Sequence, residues 1–199
     1  MKVVLASKNP HKLIEIQEIL KQYDMELVLQ SELGVDIDVD ETGTSFEENS
    51  LLKAEAVVKA TGLPALADDS GLCVDALGGV PGIYSARYGA PACVTDRDRL
   101  NHLLENLRTI RSEERTARFV CVMTLLYPDG KKLVAAGSCE GYIASEPHGA
   151  AGFGYDPVFY IPREGRTFAE MGEEKKNQIS HRANALKRLC ALLDMEKKQ

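Results

Sequence analysis

The stretch SFEENSLLKAEAVVKATG, residues Ser45–Gly62, carries the strongest signal for local structure in this chain. Its first residue, Ser45, stands three residues before Glu48, which is the spacing of a capping box at a helix N-terminus. Its last residue, Gly62, is typical of the position just beyond a helix C-terminus. The stretch therefore predicts a helix. Within it Lys53 is interpreted as a solvated side chain.

Short apolar runs upstream of this helix predict strands. Residues 3–6 form a continuous apolar run, which favours a buried strand, and residues 26–30 predict a second one. The stretch DIDVDE at 36–41 alternates acidic and apolar side chains, which suits a half-exposed strand or an acidic loop. A helix is predicted between the two strands from the spacing of Leu13, Ile16, Leu20 and Tyr23, with Pro10 at its first position.

The downstream half of the chain predicts a hairpin between two helices. Residues 116–127 and 131–138, separated by PDG, indicate a long β-hairpin. Thr95 and Asp98 repeat the capping spacing at the start of one helix, and the stretch HRANALKRLCALLDM indicates another at the end of the sequence. Strands thus alternate with helices early and pair as a hairpin later. This predicts the α/β class, with a mixed sheet, flanking helices and one domain over residues 1–199.

The composition narrows the classes of function. The chain has 199 residues and a net charge of -6, which argues against a nucleic-acid-coating surface but not against a local basic pocket for a small anion. Its five cysteines form no CxxC pair, which favours reduced thiols, and no apolar segment approaches the length of a membrane span. We therefore expect a cytoplasmic protein with no nucleic-acid or membrane partner.

Two adjacent carboxylates, Asp68 and Asp69, follow a short apolar run in the stretch LADDSGLCVDALGGVPGIYSARY. Adjacent like charges repel each other, and a bound divalent cation is one way to offset that repulsion. An acidic turn is an equally good interpretation of this stretch alone.

The stretch SKNPHK, residues Ser7–Lys12, lies between a predicted strand and a predicted helix. Free backbone N–H groups and the helix dipole favour an anion there, and two lysines add positive charge. The stretch lacks the glycines of a Walker A loop. It therefore predicts either a cradle for a triphosphate or an ordinary polar loop before a helix.

Two further stretches carry small, aromatic and basic residues. In GAAGFGYDPVFY the small residues allow a close approach of the backbone, and Phe153 offers a face on which a flat base can stack. A tight turn with core aromatic residues is the alternative. In EEKKNQISHRANAL, Lys176, His181 and Arg182 surround the start of the last helix, with Ser180 as a candidate N-cap, and His181 has a purely structural alternative.

Taken in order, these motifs resemble the inosine triphosphate pyrophosphatase family over essentially the whole chain. The matching segments are SKNPHK, ETGTSFEENSLLKA, ADDSGLCVDALGGVPGIYSARY, GFGYDPVF and EEKKNQISHR. Ser45 and Ser50 are mild departures, since the family usually has Thr and Ala there. The resemblance implies hydrolysis of non-canonical purine nucleoside triphosphates, such as dITP, ITP and XTP, to the monophosphate and pyrophosphate.

The resemblance also implies a site. Asp69 is then the catalytic base, and Mg²⁺ is held by Glu41, Asp69 and, as a supporting ligand, Asp68. The implied substrate-binding residues are Ser7, Lys8, Asn9, Pro10, His11, Lys12, Ser70, Phe153, Gly154, Tyr155, Asp156, Lys176, His181 and Arg182.

The architecture implied by the resemblance is a twisted mixed sheet with two lobes around a nucleotide cleft, in a homodimer. Two other functions stay open. One is a nucleotide-binding regulatory protein, against which the intact carboxylates argue. The other is a pyrophosphatase for other modified nucleotides.

Overall fold

The computed structural model of the chain describes residues 1–7, 13, 16, 17 and 20–197. Its strands are β1 (Lys2–Leu5), β2 (Glu26–Leu29), β3 (Ala65–Val74), β4 (Thr116–Leu126), β5 (Lys132–Ile143), β6 (Phe159–Ile161) and β7 (Arg166–Thr167). Its longer helices are α1 (Phe46–Thr61), α2 (Asp96–Asn106), α3 (Glu173–Ile179) and α4 (His181–Glu196). Short 3₁₀ helices cover Lys21–Tyr23, Gln30–Leu33, Asp75–Leu77, Gly82–Arg87, Ser112–Glu114 and Phe168–Glu170.

The seven strands form one mixed sheet in the order β2-β1-β3-β4-β5-β6-β7. Strand β1 pairs in parallel with β2 and with β3, whereas β6 pairs antiparallel with both β5 and β7. The predicted α/β class with a mixed sheet and flanking helices is confirmed. The predicted hairpin is confirmed too, because β4 and β5 are neighbours joined by residues 127–131, and β5 continues five residues beyond the predicted end.

The chain divides into two compact units. Unit 1 contains Met1–Asp69, Cys121–Gly137 and Asn184–Gln199, and unit 2 contains Ser70–Val120 and Ser138–Ala183. The chain passes from one unit to the other four times, within strands β3, β4 and β5 and within helix α4, and not through a linker. The single domain over residues 1–199 stays a prediction.

In unit 1 the central strand β1 is buried on both faces. Val3 and Leu5 join a core cluster with side chains of α4, such as Leu189, whereas Val4 joins a second cluster with Ala54 of α1. Successive strand residues point to opposite faces, so helices cover both sides of this part of the sheet. This explains why β1 reads as a continuous apolar run.

Unit 2 has its own core, which is rich in aromatic side chains. Phe159 contacts Phe119 at a ring-centroid distance of 4.6 Å and Phe168 at 5.0 Å. Leu100 and Leu103 of α2 pack into the same cluster. The core of unit 2 therefore holds one end of α2 and the strands that flank the pocket described below.

The helix predicted at Ser45–Gly62 is confirmed within one residue at each end. The Ser45 hydroxyl accepts a hydrogen bond from the backbone N–H of Glu48 at 3.1 Å. The Glu48 carboxylate accepts from the backbone N–H of Thr44 at 2.6 Å, one residue before the partner that the capping box predicts. At the other end Gly62 has a left-handed backbone with φ of 67°, a conformation that costs glycine little.

The other predicted elements have mixed outcomes. The stretch 36–41 is irregular, so of the two alternatives the acidic loop is confirmed. Asp68 and Asp69 lie in the middle of β3, so the interpretation as an acidic turn is wrong. Between residues 13 and 20, Leu13, Ile16, Gln17 and Leu20 are helical, whereas Pro10 lies outside the described residues. Among the described residues, no helix is long and apolar enough to cross a membrane.

Candidate functional site

Unit 1 brings together four side chains that we call the carboxylate–lysine cluster: Glu41, Asn49, Lys53 and Asp69. The Lys53 ammonium lies 3.0 Å from Oε1 of Glu41 and 2.8 Å from Oδ1 of Asp69. Helix α1 supplies the lysine, strand β3 supplies Asp69, and the irregular segment before α1 supplies Glu41. One positive charge thus stands between two negative ones.

The cluster is shielded from solvent, and this perturbs its ionisation. The side chains of Lys53 and Asp69 are only 17% and 8% exposed. Burial raises the pKa of the Asp69 carboxyl and the nearby Glu41 carboxylate adds to this, whereas the Lys53 ammonium opposes the increase. For Lys53, burial lowers the pKa, but the attraction of Asp69 and Glu41 outweighs it and the pKa is raised. The pKa of Asp69 is therefore raised above its ordinary value, which is the direction expected for a carboxylate that acts as a general base.

Asn49 fixes the geometry of this cluster. Its side chain is fully buried, donates from Nδ2 to Oδ2 of Asp69 at 3.4 Å and accepts at Oδ1 from the backbone N–H of Gly43 at 2.8 Å. A Cβ at position 43 would lie 2.6 Å from Oδ1 of Asn49, so only glycine fits without a shift there. Asn49 thereby links the segment that carries Glu41 to the catalytic candidate Asp69.

The interpretation of Lys53 as a solvated side chain is wrong. Asn49 and Lys53 stand four residues apart and so lie on one face of α1, but nothing in the sequence shows which surface that face covers. The partner becomes evident only once α1 packs against β3, because the bonds to Glu41 and Asp69 span 12 and 16 residues.

The two neighbouring acids, Asp68 and Asp69, are both buried in β3, at 6% exposure each. Successive side chains of a strand point to opposite faces of the sheet, so Asp68 is directed away from the face that Asp69 shares with Lys53. The role of Asp68 as a supporting metal ligand stays a prediction.

The carboxylate–lysine cluster fits a magnesium ion in its donor chemistry. Among the described residues, no three His, Cys, Asp or Glu side chains converge as a metal cage. Magnesium does not need such a cage, because proteins commonly hold it with one or two carboxylates while substrate phosphates and water complete the shell. Glu41 and Asp69 supply two such carboxylates, and they already converge on a cation, the Lys53 ammonium.

Most of the predicted phosphate loop lies outside the described residues. This applies to Lys8, Asn9, Pro10, His11 and Lys12. Ser7 is described: it follows β1, is half-buried, and its backbone N–H donates to the carbonyl oxygen of Leu5 at 2.8 Å.

Unit 2 contains a pocket of about 180 Å³, which we call the unit 2 pocket. It is lined by eight of the predicted substrate-binding residues and by six other residues, four of which are polar or aromatic. The predicted ones are Ser70, Phe153, Gly154, Tyr155, Asp156, Lys176, His181 and Arg182; the additional polar or aromatic ones are Ser85, Asp96, Arg99 and Phe119.

Two residues that line the unit 2 pocket, Asp156 and Lys176, form an ion pair. The Lys176 ammonium contacts Oδ2 of Asp156 at 2.5 Å, and the two side chains are only 13% and 3% exposed. The same oxygen of Asp156 accepts the backbone N–H of Phe153 at 2.9 Å. The Lys176 ammonium also lies 4.6 Å from the centroid of the Phe153 ring, which is 59% exposed. Phe153 therefore presents an open aromatic face above a cation.

Hydrogen bonds of two buried hydroxyl groups, those of Tyr155 and Ser85, stabilise another part of the pocket lining. The Tyr155 hydroxyl donates to the carbonyl oxygen of Ser85 at 2.9 Å, and burial raises the pKa of that phenol. The Ser85 hydroxyl accepts the backbone N–H of Leu72 at 2.9 Å and donates to the carbonyl oxygen of Gly82 at 2.6 Å. Tyr155 is therefore fixed to the 3₁₀ helix Gly82–Arg87, and the Ser85 hydroxyl joins that helix to β3.

His181 and Arg182 are the first two residues of α4. The backbone N–H of Ala183 donates to the Ser180 hydroxyl at 3.2 Å, so the predicted N-cap is confirmed. The His181 ring stacks on Phe119 with centroids 4.9 Å apart and an angle of 15° between the planes. Both residues line the pocket. Because Phe119 belongs to the core of unit 2, His181 also packs against that core.

The chain is matched by a family model over most of its length. The model described as "Ham1 family" covers residues 3–192. The chain belongs to the Ham1 family. The matched span begins in β1 and reaches into α4, so it includes every described residue of the carboxylate–lysine cluster and of the unit 2 pocket.

Similar proteins give this Ham1 family member a consistent set of relatives. A protein of Thermus thermophilus named dITP/XTP pyrophosphatase is 54% identical over 189 residues, covering 95% of this chain and 90% of its own length. A protein of Escherichia coli K12 with the same name is 50% identical over 194 residues, covering 96% and 98%. The solved structure of the Staphylococcus aureus Ham1 protein matches with a TM-score of 0.90 and 44% identity, covering 98% of this chain and all of that one. The resemblance predicted from the sequence is confirmed.

Proposed function

We propose that this chain hydrolyses non-canonical purine nucleoside triphosphates, such as dITP, ITP and XTP, to the nucleoside monophosphate and pyrophosphate. The structural observation that carries the proposal is the convergence of two carboxylates, the buried Asp69 and the half-buried Glu41, on one cation. A protein that only binds nucleotides gains nothing from such a carboxylate pair, which would repel phosphates. The names of relatives that share half or more of their matched residues with this chain supply the substrate class.

Asp69 is the group that activates water in this proposal. Its carboxylate accepts a proton from the attacking water, whose oxygen bonds to the α-phosphorus as the α–β phosphoanhydride bond breaks, and pyrophosphate leaves with the bonding electrons. The raised pKa of Asp69 brings its proton affinity closer to that of a useful general base. Glu41 and Asp69 would hold Mg²⁺, whose positive charge would offset the negative charge of the phosphates. Asp68 is proposed as a supporting ligand on the strength of the sequence motif alone.

The unit 2 pocket is proposed to select the base. Lys176 and Arg182 line it and carry only hydrogen-bond donors, which suits the O6 acceptor of hypoxanthine or xanthine. Adenine places an amino donor at that position, so donor faces donor in a shielded site and both stay unpaired. Phe153 stacks on the ring of the base and contributes affinity without distinguishing one purine from another.

The phosphate loop completes the proposal. Ser7, Lys8, Asn9, Pro10, His11 and Lys12 are proposed to bind the triphosphate, on the strength of the sequence motif alone. Lys12 faces the leaving pyrophosphate in this proposal, where a fixed positive charge stabilises the transition state. Ser70, directly after Asp69, is proposed to contact the substrate as well.

The test is a panel of nucleotides assayed for pyrophosphate release. ITP, XTP, GTP, ATP and a methylated pyrimidine triphosphate are compared by kcat/KM, with and without Mg²⁺. We expect ITP and XTP to exceed ATP by orders of magnitude, because the unpaired donors penalise adenine. Release of single phosphates, or ATP hydrolysed as well as ITP, would rule the proposal out. Binding without turnover would favour a regulatory nucleotide-binding protein, and a preference for the methylated nucleotide would favour the other pyrophosphatase.

Three accompanying properties are also proposals. The enzyme uses Mg²⁺, which metal titration of the apoprotein by calorimetry tests. It acts as a homodimer, which light scattering coupled to size-exclusion chromatography tests. It works in the cytoplasm on free nucleotides, since the five cysteines, all of them described, form no disulfide, which fits a reducing compartment; fractionation of the source cells tests this.

A further inference from the structure

Two consecutive backbone N–H groups in the wall of the unit 2 pocket donate hydrogen bonds to two different carboxylates. The N–H of Phe153 donates to Oδ2 of Asp156 at 2.9 Å. The N–H of the next residue, Gly154, donates to Oδ2 of Asp96 at 2.9 Å, across 58 positions of sequence. Charge-assisted hydrogen bonds of this kind are shorter and stronger than neutral ones. The turn is therefore anchored to α2 on one side and to its own Asp156 on the other.

Asp96 is itself held by an arginine of the same helix. Arg99 donates from Nη2 to Oδ1 of Asp96 at 2.5 Å and from Nη1 to the carbonyl oxygen of Val94 at 3.0 Å. Each oxygen of the Asp96 carboxylate therefore has one partner, Arg99 or Gly154. The arginine and its hydrogen bond lower the pKa of Asp96, so the carboxylate stays ionised. Both side chains line the unit 2 pocket.

Few other contacts fix the turn that carries Phe153, among them a hydrogen bond from the backbone N–H of Asp156 to the carbonyl oxygen of Phe153 at 3.2 Å. Gly152 and Gly154 flank Phe153 with φ of 80° and 60°, in the left-handed region that glycine adopts at low cost. No heavy atom lies within 4 Å of where a Cβ of Gly154 would stand, so packing does not hold that residue. The Phe153 ring is 59% exposed. Its orientation therefore depends on the anchoring of the turn and on the Lys176 ammonium, 4.6 Å from the ring centroid.

We propose that Asp96, set in place by Arg99, is a positioning residue that fixes Phe153 as a preformed stacking surface for the substrate base. The ligand class rests on the proposed function, whereas the positioning does not. A ring that is already oriented loses less conformational entropy when a base stacks on it. Loss of Asp96 therefore weakens binding of the base and leaves the chemical step intact.

The direct test uses a tryptophan reporter in the protein without substrate. The chain contains no tryptophan, so Phe153→Trp introduces a single one at the position of interest. Asp96→Ala in this background should lower the fluorescence anisotropy of the indole, because the turn loses one of its two anchors. Asp98→Ala is the matched control: Asp98 lies in the same first turn and caps the helix through Thr95, but it does not contact Gly154.

The kinetic test uses the protein with Phe153 intact. We expect Asp96→Ala to raise KM for ITP about 3- to 5-fold with kcat unchanged, a size typical of a partly exposed charged pair. Asp96→Asn, which keeps one acceptor for Gly154, should recover part of the loss. Asp98→Ala should lower the melting temperature without changing KM. Arg99→Met repeats the test from the other end of the pair if Asp96→Ala does not fold.

The outcomes separate this proposal from the proposed function. If no triphosphate is hydrolysed but the anisotropy falls only in the Asp96 and Arg99 variants, the positioning role holds and the proposed substrate class fails. If anisotropy and KM in these variants equal those of Asp98→Ala, the Asp96 contact is merely structural and the positioning role is overturned.

Discussion

Each unit of this molecule contains a shielded aspartate–lysine pair, and the two pairs are built differently. In unit 1 the Lys53 ammonium is shared by Asp69 and Glu41, at 2.8 and 3.0 Å. In unit 2 the Lys176 ammonium has Asp156 as its carboxylate partner at 2.5 Å. The first group therefore carries one more negative than positive charge, whereas the second is neutral within itself.

This difference in charge ratio, and not the presence of an ion pair, indicates what each group can do. The excess carboxylate of the first group attracts a further cation and raises the proton affinity of Asp69. In the second group the carboxylate is occupied by Lys176 and by the N–H of Phe153, so the lysine's remaining hydrogens are available to an acceptor. Similar pairs thus suit metal and base chemistry in one unit and recognition in the other, as we propose for this chain.

The largest effect expected from this comparison is on turnover through Asp69. Asp69→Asn should lower kcat about 10²- to 10⁴-fold, because the amide neither accepts the proton of water nor holds Mg²⁺ as well. Asp98→Asn is the control for an aspartate outside both groups. Steady-state pyrophosphate release measures the effect, and circular dichroism should show unchanged folding. A variant that keeps more than about a tenth of the activity would contradict the role of Asp69 as base.

The second effect is on base recognition through Lys176. Lys176→Met should raise KM for ITP about 10- to 100-fold and reduce the preference for ITP over ATP, because a charged donor to the base is lost. Lys175→Met is the matched control, since that neighbour is about half exposed and pairs with Glu164 at 3.1 Å.

Removing Lys176 also leaves the buried Asp156 without its ion partner, which destabilises the protein. The double variant Asp156→Asn/Lys176→Met removes this charge and keeps an acceptor for the N–H of Phe153. We expect it to recover stability but not base preference. If the double variant regains the preference for ITP, Lys176 does not read the base.

Local signals in the sequence predicted most of the fold. The helix Ser45–Gly62 follows from a cap, a terminal glycine and spacing, all of which lie within 18 residues. The short strands β6 and β7, with three and two residues, carry no such pattern and exist because they pair with β5 and with each other. The helix α3 was likewise not predicted, since its seven residues, EEKKNQI, include a single apolar side chain and so show no apolar periodicity.

The site was predicted where a motif names the residue and missed where tertiary contacts define it. Asp69 and Asp156 stand in motifs that the family resemblance identifies. Lys53 and Asp96 do not: their partners lie 16 and 58 positions away, and only the packing of a helix brings each pair together. Side-chain roles that depend on such contacts cannot be read from spacing along one helix.

The third effect is on the pH dependence of turnover through Lys53. Catalysis requires ionised Asp69, so the rate falls as pH drops through the pKa of that carboxyl. The Lys53 ammonium lowers this pKa against the effect of burial, so Lys53→Met should move the acidic limb of kcat to higher pH. Lys59→Met on the exposed surface of the same helix is the control. An acidic limb that stays in place, or moves to lower pH, would show that Lys53 does not tune Asp69.

The smallest effect concerns a buried pair of uncharged hydroxyl groups in unit 1. It tests whether burial alone, without the ratio of charges around each lysine, explains the different functions proposed for the two lysine–carboxylate groups. In unit 1 the hydroxyls of Ser50 and Thr124 are fully buried and 2.7 Å apart, and Ser50 is the next residue after Asn49. Ser50→Ala leaves the Thr124 hydroxyl without this partner and should cost about 1–2 kcal/mol of unfolding free energy, or roughly 2–6 °C in Tm.

Adding Thr124→Val removes the second hydroxyl of this pair, so the double variant should be more stable than the sum of the single changes predicts. Thermal unfolding of the two single variants and the double variant measures this coupling, and kcat and KM should stay unchanged in all three. The reason is that neither hydroxyl carries charge, and the comparison assigns function to the ratio of charges around each lysine. A loss of kcat in Ser50→Ala equal to that in Lys53→Met would mean that any disturbance of α1 impairs Asp69, and the charge ratio would no longer explain what unit 1 does.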